Sequence, residues 1–577
     1  MFMKKKNLFY AIAFSMICSV IFASPVTHVS AASGNSMSVS VTSSKVKIKI
    51  TKAKSKGTLY AYQANEYAKK DTTRGISKSV KATGKALGTV NKGQSKTITV
   101  DRYDADGQDA LYNKYYLLNG NKIVKGPIYA SSISSAKKSI GFSQKSVKGL
   151  YTEGDANNIK YAKDLGVSSI TLNIDLGTLM YASKSVAPAD AMPYQVNGKT
   201  YYFNTASVNY YDSIIKKASA AKMNVIGILI AWTNKNYNTY AKALRYNSPK
   251  STITMGQNTS NATGRDDFIA MMEFLAHRYS QSKASGYINT YVLGNEIDFT
   301  HYWYNTSNFN KFMEEYSRAL RLTNLAVKKY ASNINVAVPF THYWAKSAGQ
   351  VFKECPGPSF APLKMTNWLA KTSKAQGDYN WALAPHCYGV VNTKSTQTLT
   401  DSSMKALTGN YKTTKELTFT NLEVLNSYLN TSALKYKGKQ RSVYLTECGA
   451  SSGKISNKNL KYQAATVAYE YYKVAHLPFI KSFNYYRLKD EASEAKNGLS
   501  VGLLKSNGTK KPAYKVYKHI DTKSSQAWTK GYLKYISYKK NGKGKAVKPS
   551  SWKAAMKVYD SSFNWNKKWS WKKITKR

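Results

Sequence analysis

Tyr291-Val292-Leu293-Gly294-Asn295-Glu296-Ile297 is an apolar strand that runs into a glycine turn and then a carboxylate, and Val443-Tyr444-Leu445-Thr446-Glu447-Cys448-Gly449 ends a second apolar strand in a glutamate followed by glycine. In a closed barrel of parallel strands, sites are built on the face formed by the strand C-termini. If both segments belong to one barrel, both glutamates stand at one pocket mouth.

The surrounding sequence supplies that barrel. After Lys137, runs rich in Val, Ile and Leu alternate with amphipathic helical stretches, the pattern of a parallel α/β architecture. The clearest runs are Ser169 to Ile174, Asn224 to Ile230, Thr290 to Gly294, Ile334 to Val338, Trp381 to Ala384, Ser442 to Thr446 and Ile480 to Tyr485. An earlier strand near Ile140 to Leu150 brings the total to eight, which predicts an α/β fold, a (β/α)8 TIM barrel over residues 136–520. On this count Glu296 ends strand four and Glu447 strand seven, across the pocket from each other. Cleaving a glycosidic bond with retention needs such a pair: a protonated acid at the leaving oxygen and an ionised nucleophile under the ring, about 5 to 5.5 Å apart.

Gly294-Asn295-Glu296 and Thr446-Glu447 resemble the retaining glycoside hydrolases of clan A. Gly377-Asp378-Tyr379-Asn380-Trp381-Ala382-Leu383-Ala384-Pro385-His386 and Thr418-Phe419-Thr420-Asn421-Leu422-Glu423-Val424-Leu425 resemble a bacterial clan-A-like barrel family catalogued only as a domain of unknown function. The resemblance runs from about Gly141 to Ile520. It implies Glu296 as general acid/base, Glu447 as nucleophile and Asn295 as the partner of the reacting sugar's 2-hydroxyl. It also implies site roles for His386 and Tyr388 after strand six, where clan A enzymes place a group that bonds the nucleophile. Strand eight departs from the family, which often has a Trp there; here Tyr485 and Arg487 are the candidates. Arg487 suits an acidic sugar through a forked contact, or a structural pair with Asp490 or Glu491.

Further candidates follow from strand ends. Trp232 follows strand three and His342 and Trp344 follow strand five, while His301 and Trp303 lie just beyond Glu296, so aromatic faces ring the expected pocket. A Trp in such a loop packs a sugar or forms loop core. Asn173, with Asp175, ends strand two. His386, Cys387 and Cys448 together suggest zinc. Neighbours on a strand point to opposite sides, however, so cysteines beside inward His386 and Glu447 face the helices. No metal and no cofactor are expected.

The flanks set the context. Residues 1–32 read as a signal peptide, with Lys4, Lys5 and Lys6 before an apolar run from Leu8 to Ala23 and small residues near Ala32, so the protein is expected to be secreted, extracellular or associated with the cell envelope. No later run is apolar enough for a transmembrane anchor. Residues 33–135 alternate as in Val46-Lys47-Ile48-Lys49-Ile50, with an Asn119-Gly120 hairpin turn, and predict an immunoglobulin-like β-sandwich that binds glycan or spaces domains. Residues 521–577 form a basic extension carrying Trp528, Trp552, Trp565, Trp569 and Trp571, which holds anionic polymers or a membrane interface, or caps the barrel.

A net charge of +55 over 577 residues favours anionic partners. The expected partners are a poly- or oligosaccharide substrate and anionic cell-wall polymers on the basic surface. Nucleic acid is not expected, because no phosphate-binding glycine loop or reading helix occurs. The alternative to a glycosidase is a non-catalytic glycan-binding or envelope-associated barrel.

Overall fold

The computed structural model describes residues 36–65, 81–134, 137–232, 239–241, 253–352, 355–388, 407–537, 548–556 and 565–575. The expected signal peptide lies outside them.

Eight short strands come first: β1 (Ser36–Val41), β2 (Lys45–Thr51), β3 (Gly57–Tyr62), β4 (Lys85–Val90), β5 (Lys96–Asp101), β6 (Lys114–Asn119), β7 (Lys122–Ile128) and β8 (Ala130–Ile133). They form two four-stranded sheets, ordered β5-β2-β1-β8 and β4-β3-β6-β7. The period-two pattern dictates their faces: Val46, Ile48 and Ile50 of β2 are buried while Lys45, Lys47 and Lys49 are exposed. A buried polar network joins these sheets to the next layer. Asp109 pairs with Arg102 at 2.8 Å and Lys329 at 3.1 Å, Lys329 pairs with Glu273 at 2.7 Å, and the Tyr112 hydroxyl donates to Glu273 at 2.6 Å.

The barrel begins with β9 (Lys148–Tyr151) and β10 (Ser169–Asp175). A hairpin absent from the sequence reading, β11 (Met192–Val196) and β12 (Lys199–Phe203), occupies the following loop. Its turn residues Asn197 and Gly198 take φ of 50° and 73°, as a two-residue type I′ turn requires. The remaining barrel strands are β13 (Asn224–Ile230), β14 (Ile288–Leu293), β15 (Asn335–Phe340), β16 (Trp381–Pro385), β17 (Val443–Cys448) and β18 (Ile480–Tyr485). They close a parallel barrel of eight strands, with β18 paired back to β9. Glu296 follows the fourth strand and Glu447 lies in the seventh, β17.

Alternation divides the two faces of the wall. Ile226, Ile228, Ile230, Val292, Ala337, Ala382, Ala384 and Tyr444 form their own cluster inside, whereas Val225, Leu229, Leu293, Val336 and Leu383 join the core under the helices. The opposite arc of the lumen is polar: Ser169 Oγ donates to Asn484 Oδ1 at 3.0 Å. Residue 149 between them must be glycine, since a Cβ there would lie 2.1 Å from Asn484 Oδ1. On the wall's far side, Lys148 Nζ donates to Asp521 Oδ1 at 2.6 Å and to the Tyr517 carbonyl at 3.0 Å, fixing β9 to the helix Pro512–His519 and the residues after it.

Of the described C-terminal tryptophans, Trp552 is buried, Trp569 and Trp571 are half-buried against the core, and Trp528 is exposed. Trp552, Trp569 and Trp571 surround Tyr472 at 5.1, 6.1 and 5.5 Å between centroids, and Trp569 stacks on His476 at 4.6 Å. Trp528 stacks on His519 at 4.3 Å. The side chain of Trp565 lies outside the description. Among the described residues, no helix is long and apolar enough to cross a membrane.

Candidate active site

The turn after β14 places the first carboxylate. Gly294 has φ +85°, and a Cβ there would come within 2.8 Å of the Tyr304 hydroxyl. Glu296 itself adopts φ +42°, a left-handed conformation that costs a non-glycine residue about 1 to 3 kcal/mol and persists where the surroundings impose it. They do so through Asp298. Its carboxylate accepts from the Thr341 amide at 2.8 Å and the Thr341 hydroxyl at 2.5 Å, while the Ile297 amide donates to the Pro339 carbonyl at 3.3 Å. The turn is thereby pinned to the end of β15. Burial pushes the Asp298 carboxyl up to about 7 against these hydrogen bonds.

The side chains at the mouths of β14, β16 and β17 converge. His386 Nδ1 lies 3.0 Å from Glu296 Oε1 and 3.6 Å from Glu447 Oε2, and the Tyr388 hydroxyl donates to Glu447 Oε1 at 2.6 Å. One oxygen from each glutamate and a ring nitrogen of His386 all lie within 4.8 Å of one another. The two carboxylates are 21% and 22% exposed and the imidazole 1%, so the acids face the opening with His386 behind them. Nε2 of His386 lies 3.4 Å from Thr446 Oγ1.

These three groups are also the set among the described residues that could hold a divalent ion. As they stand, the His386 and Tyr388 hydrogen bonds already engage both carboxylates. Cys387 and Cys448 are fully buried on the other face, where Cys448 Sγ contacts the Asn484 carbonyl at 3.3 Å.

The charges depend on one another. Burial works to raise Glu296, but the hydrogen bond and charge of His386, with His342 adding, outweigh it and hold this carboxyl below its ordinary value. Glu447 is raised by burial and by the charge of Glu296, against His386. Burial would lower His386; Glu447 and Glu296 together raise it. His342 is pushed down by burial.

The other expected site residues divide into two groups. Asn295 is buried beside Glu296, and its amide makes no hydrogen bond among the described residues. Asn173, half-buried, shares the inward parity of Ser169 on β10. Trp232 packs on the lumen cluster with its ring 6.3 Å from Trp303, and His342 is half-buried within the field of Glu296.

Three expectations are corrected. Trp344 is fully buried, its indole donates to the Tyr411 carbonyl at 2.8 Å and its ring meets Tyr428 edge-on, so it is loop core with no face for a sugar. Tyr485 is also fully buried, donating to the Val501 carbonyl at 2.8 Å behind the barrel wall. Arg487 is committed to Glu153 at 3.0 Å and Glu494 at 3.3 Å. Neither Asp490 nor Glu491 is its partner; Asp490 pairs with Lys511 at 2.7 Å. Arg487 therefore braces the residues after β18 against Glu153 and Glu494.

Two residues missed in the sequence take the vacated places. Tyr486, one position past Tyr485, sits edge-on to Tyr388 at 6.4 Å and stacks on Tyr151 at 5.2 Å, and both rings feel the charge of Glu447. The available signal was parity: if Tyr485 faces the helices, Tyr486 faces the pocket.

A family model described as a family of unknown function, DUF5722, matches residues 142–543. No curated protein matches the chain. Similar solved structures include a family 39 glycoside hydrolase from the gut symbiont Bacteroides cellulosilyticus WH2, at 14% identity over 84% of this chain and 82% of that one, with a TM-score of 0.42. The β-glycosidase from the hyperthermophile Thermosphaera aggregans matches at 14% identity over 63% of this chain and 83% of its own, with a TM-score of 0.41. A Bacteroides uniformis β-glucuronidase matches at 12% identity over 87% of this chain and 50% of its own, with a TM-score of 0.34. Likenesses at these scores carry nothing about chemistry, which rests on the side chains.

Proposed function

The chain belongs to the DUF5722 family, and for this member we propose a secreted glycoside hydrolase that works by retaining double displacement, with Glu447 as nucleophile and Glu296 as acid/base. One observation carries the reading: oxygens of the two carboxylates lie within 4.8 Å of each other at the C-terminal mouth of one barrel. That approach suits a retaining pair, at about 5 to 5.5 Å, and is too close for the water an inverting pair accommodates at about 6.5 to 9.5 Å.

The chemistry follows from one proton shared by three groups. His386, raised by the two carboxylates, is the group placed to carry it, and its hydrogen bond and charge hold Glu296 down. Passing it along the 3.0 Å hydrogen bond makes Glu296 the acid. The same transfer removes both the negative charge that raises Glu447 and the larger imidazolium charge that lowers it, so the nucleophile stays ionised through the hydrogen bond from Tyr388 and not through any gain from the transfer. Tyr388 orients the ionised carboxylate through its hydroxyl. Glu447 attacks the anomeric carbon, the bond to the leaving oxygen breaks and Glu296 gives that oxygen its proton. Water then attacks the glycosyl-enzyme, Glu296 takes the water's proton, and the product keeps the original anomeric configuration. Asn295 offers its amide to the 2-hydroxyl, and the rings of Tyr151 and Tyr486 offer apolar faces to the sugar.

The test is release of reducing ends from a panel of polysaccharides and aryl glycosides by the mature protein. Turnover of at least one glycoside is expected. Binding of a glycan without turnover of any would mark a non-catalytic barrel.

The proton count also gives a pH dependence. Glu447 must be ionised and its carboxyl is raised, so activity is lost as pH falls through a range above that of ordinary carboxylates. His386 must supply a proton and is raised, so activity is full below its range and is lost as pH rises through it. His386→Gln is expected to lower kcat by about tenfold or more. Its alkaline limb should move to lower pH, because Glu296 then titrates without the imidazole's proton. An unmoved limb in kcat against pH would show that His386 does not hold the proton.

A further inference from the structure

The outer face of the sheet β5-β2-β1-β8 has a regular chemistry that the active site does not use. On β2 the alternation sends Lys45, Lys47 and Lys49 to solvent. Cross-strand register places Ser38 and Thr97 on either side of Lys49, and Ser40 and Thr99 on either side of Lys47. Each rung therefore reads hydroxyl, ammonium, hydroxyl. Lys45 is paired with Asp101 at 2.6 Å, whereas Lys47 and Lys49 make no ion pair or hydrogen bond among the described residues.

What such a face can recognise follows from what it has and lacks. No strand of this sheet carries an aromatic residue, so there is no platform for a sugar ring. Nor does any carry arginine, whose planar fork suits carboxylates. Ammonium groups act as point charges suited to phosphate oxygens, and alternate residues on a strand stand about 6.8 Å apart. A chain carrying one phosphate per short repeat can meet successive lysines while the serine and threonine hydroxyls donate to the same oxygens. The net charge of +55 draws a polyanion toward the molecule before any local contact forms.

We propose that this face, centred on Lys47 and Lys49, docks a linear polymer of phosphodiester-linked units. The buried network around Asp109, Lys329 and Glu273 ties the sheets to the barrel, so a docked polymer is held at a set place relative to it. The proposal is independent of the chemistry at Glu296 and Glu447.

The experiment measures binding of the full chain to poly(glycerol phosphate), with polygalacturonate as the carboxylate counterpart. Lys47→Glu/Lys49→Glu is compared with Lys216→Glu/Lys217→Glu, an exposed pair on the helix Thr205–Ala220 that changes the net charge equally. Expected is a loss of about tenfold or more for the first variant and less than about twofold for the second. Equal losses would reduce the effect to the general positive field and overturn the proposal. So would an absence of binding by the unaltered protein, or polygalacturonate binding as tightly with the same sensitivity to Lys47 and Lys49.

Discussion

Glu447→Ala is expected to lose activity by on the order of 10⁴-fold or more on the best substrate, with the fold intact. The residue lies on β17 with its carboxylate held by Tyr388 at 2.6 Å, and no other described carboxylate is hydrogen-bonded by Tyr388. Removing it leaves room at the nucleophile's position while Glu296 and His386 stay in place. Added azide should enter that room and attack from the nucleophile's face, restoring turnover of an activated aryl glycoside and giving a glycosyl azide of inverted configuration. Glu296→Ala with azide should give the retained glycosyl azide instead, because the anion then replaces water on the opposite face. The two product configurations assign the two roles. Exchanged outcomes would exchange the roles, and activity indifferent to both substitutions would remove the mechanism.

The largest expected loss of stability lies far from this chemistry. Lys148 and Asp521 are both fully buried and 2.6 Å apart, and Ser146 also donates to Asp521 at 2.9 Å. Lys148→Met leaves Asp521 buried with its principal partner gone and the Ser146 hydroxyl still donating to it, a change that costs about 3 to 5 kcal/mol. The carbonyls of Tyr517 and Lys518 lose a donor as well. Thermal unfolding should shift down by several degrees. Lys148→Met/Asp521→Leu should recover much of the loss, since removing both charges also removes the desolvation cost. A double variant as unstable as the sum of the two single ones would show that the pair has no coupling energy.

The residues that positioned the barrel were local in sequence, and for that reason legible. The run Asn224–Ile230 coincides with β13, because a strand buried on both faces is a nearly continuous apolar run bounded by polar turns, and Ile480–Tyr485 coincides with β18 although Lys481, Ser482 and Asn484 interrupt its apolar residues. The first strand was placed only loosely. Lys148–Tyr151 is short, and its register is set by β10 and β18 rather than by any pattern of its own. Glu296 and Glu447 were legible because each directly follows or ends such a run.

The errors near the site have two causes. A strand shows alternate faces, so Tyr485 and Tyr486 differ by one position and by the whole thickness of the wall. Composition cannot say which of two adjacent tyrosines faces in. Trp344 and Arg487 depended on partners distant in the chain, Tyr411 for the indole and Glu153 for the guanidinium, and such closures become visible only when the loops are folded together.

The most direct measurement is proton NMR of the first product formed from a glycoside that the protein hydrolyses, recorded before the free sugar mutarotates. A first-formed anomer matching the substrate is the predicted result. The opposite anomer appearing first would contradict a double displacement between Glu447 and Glu296.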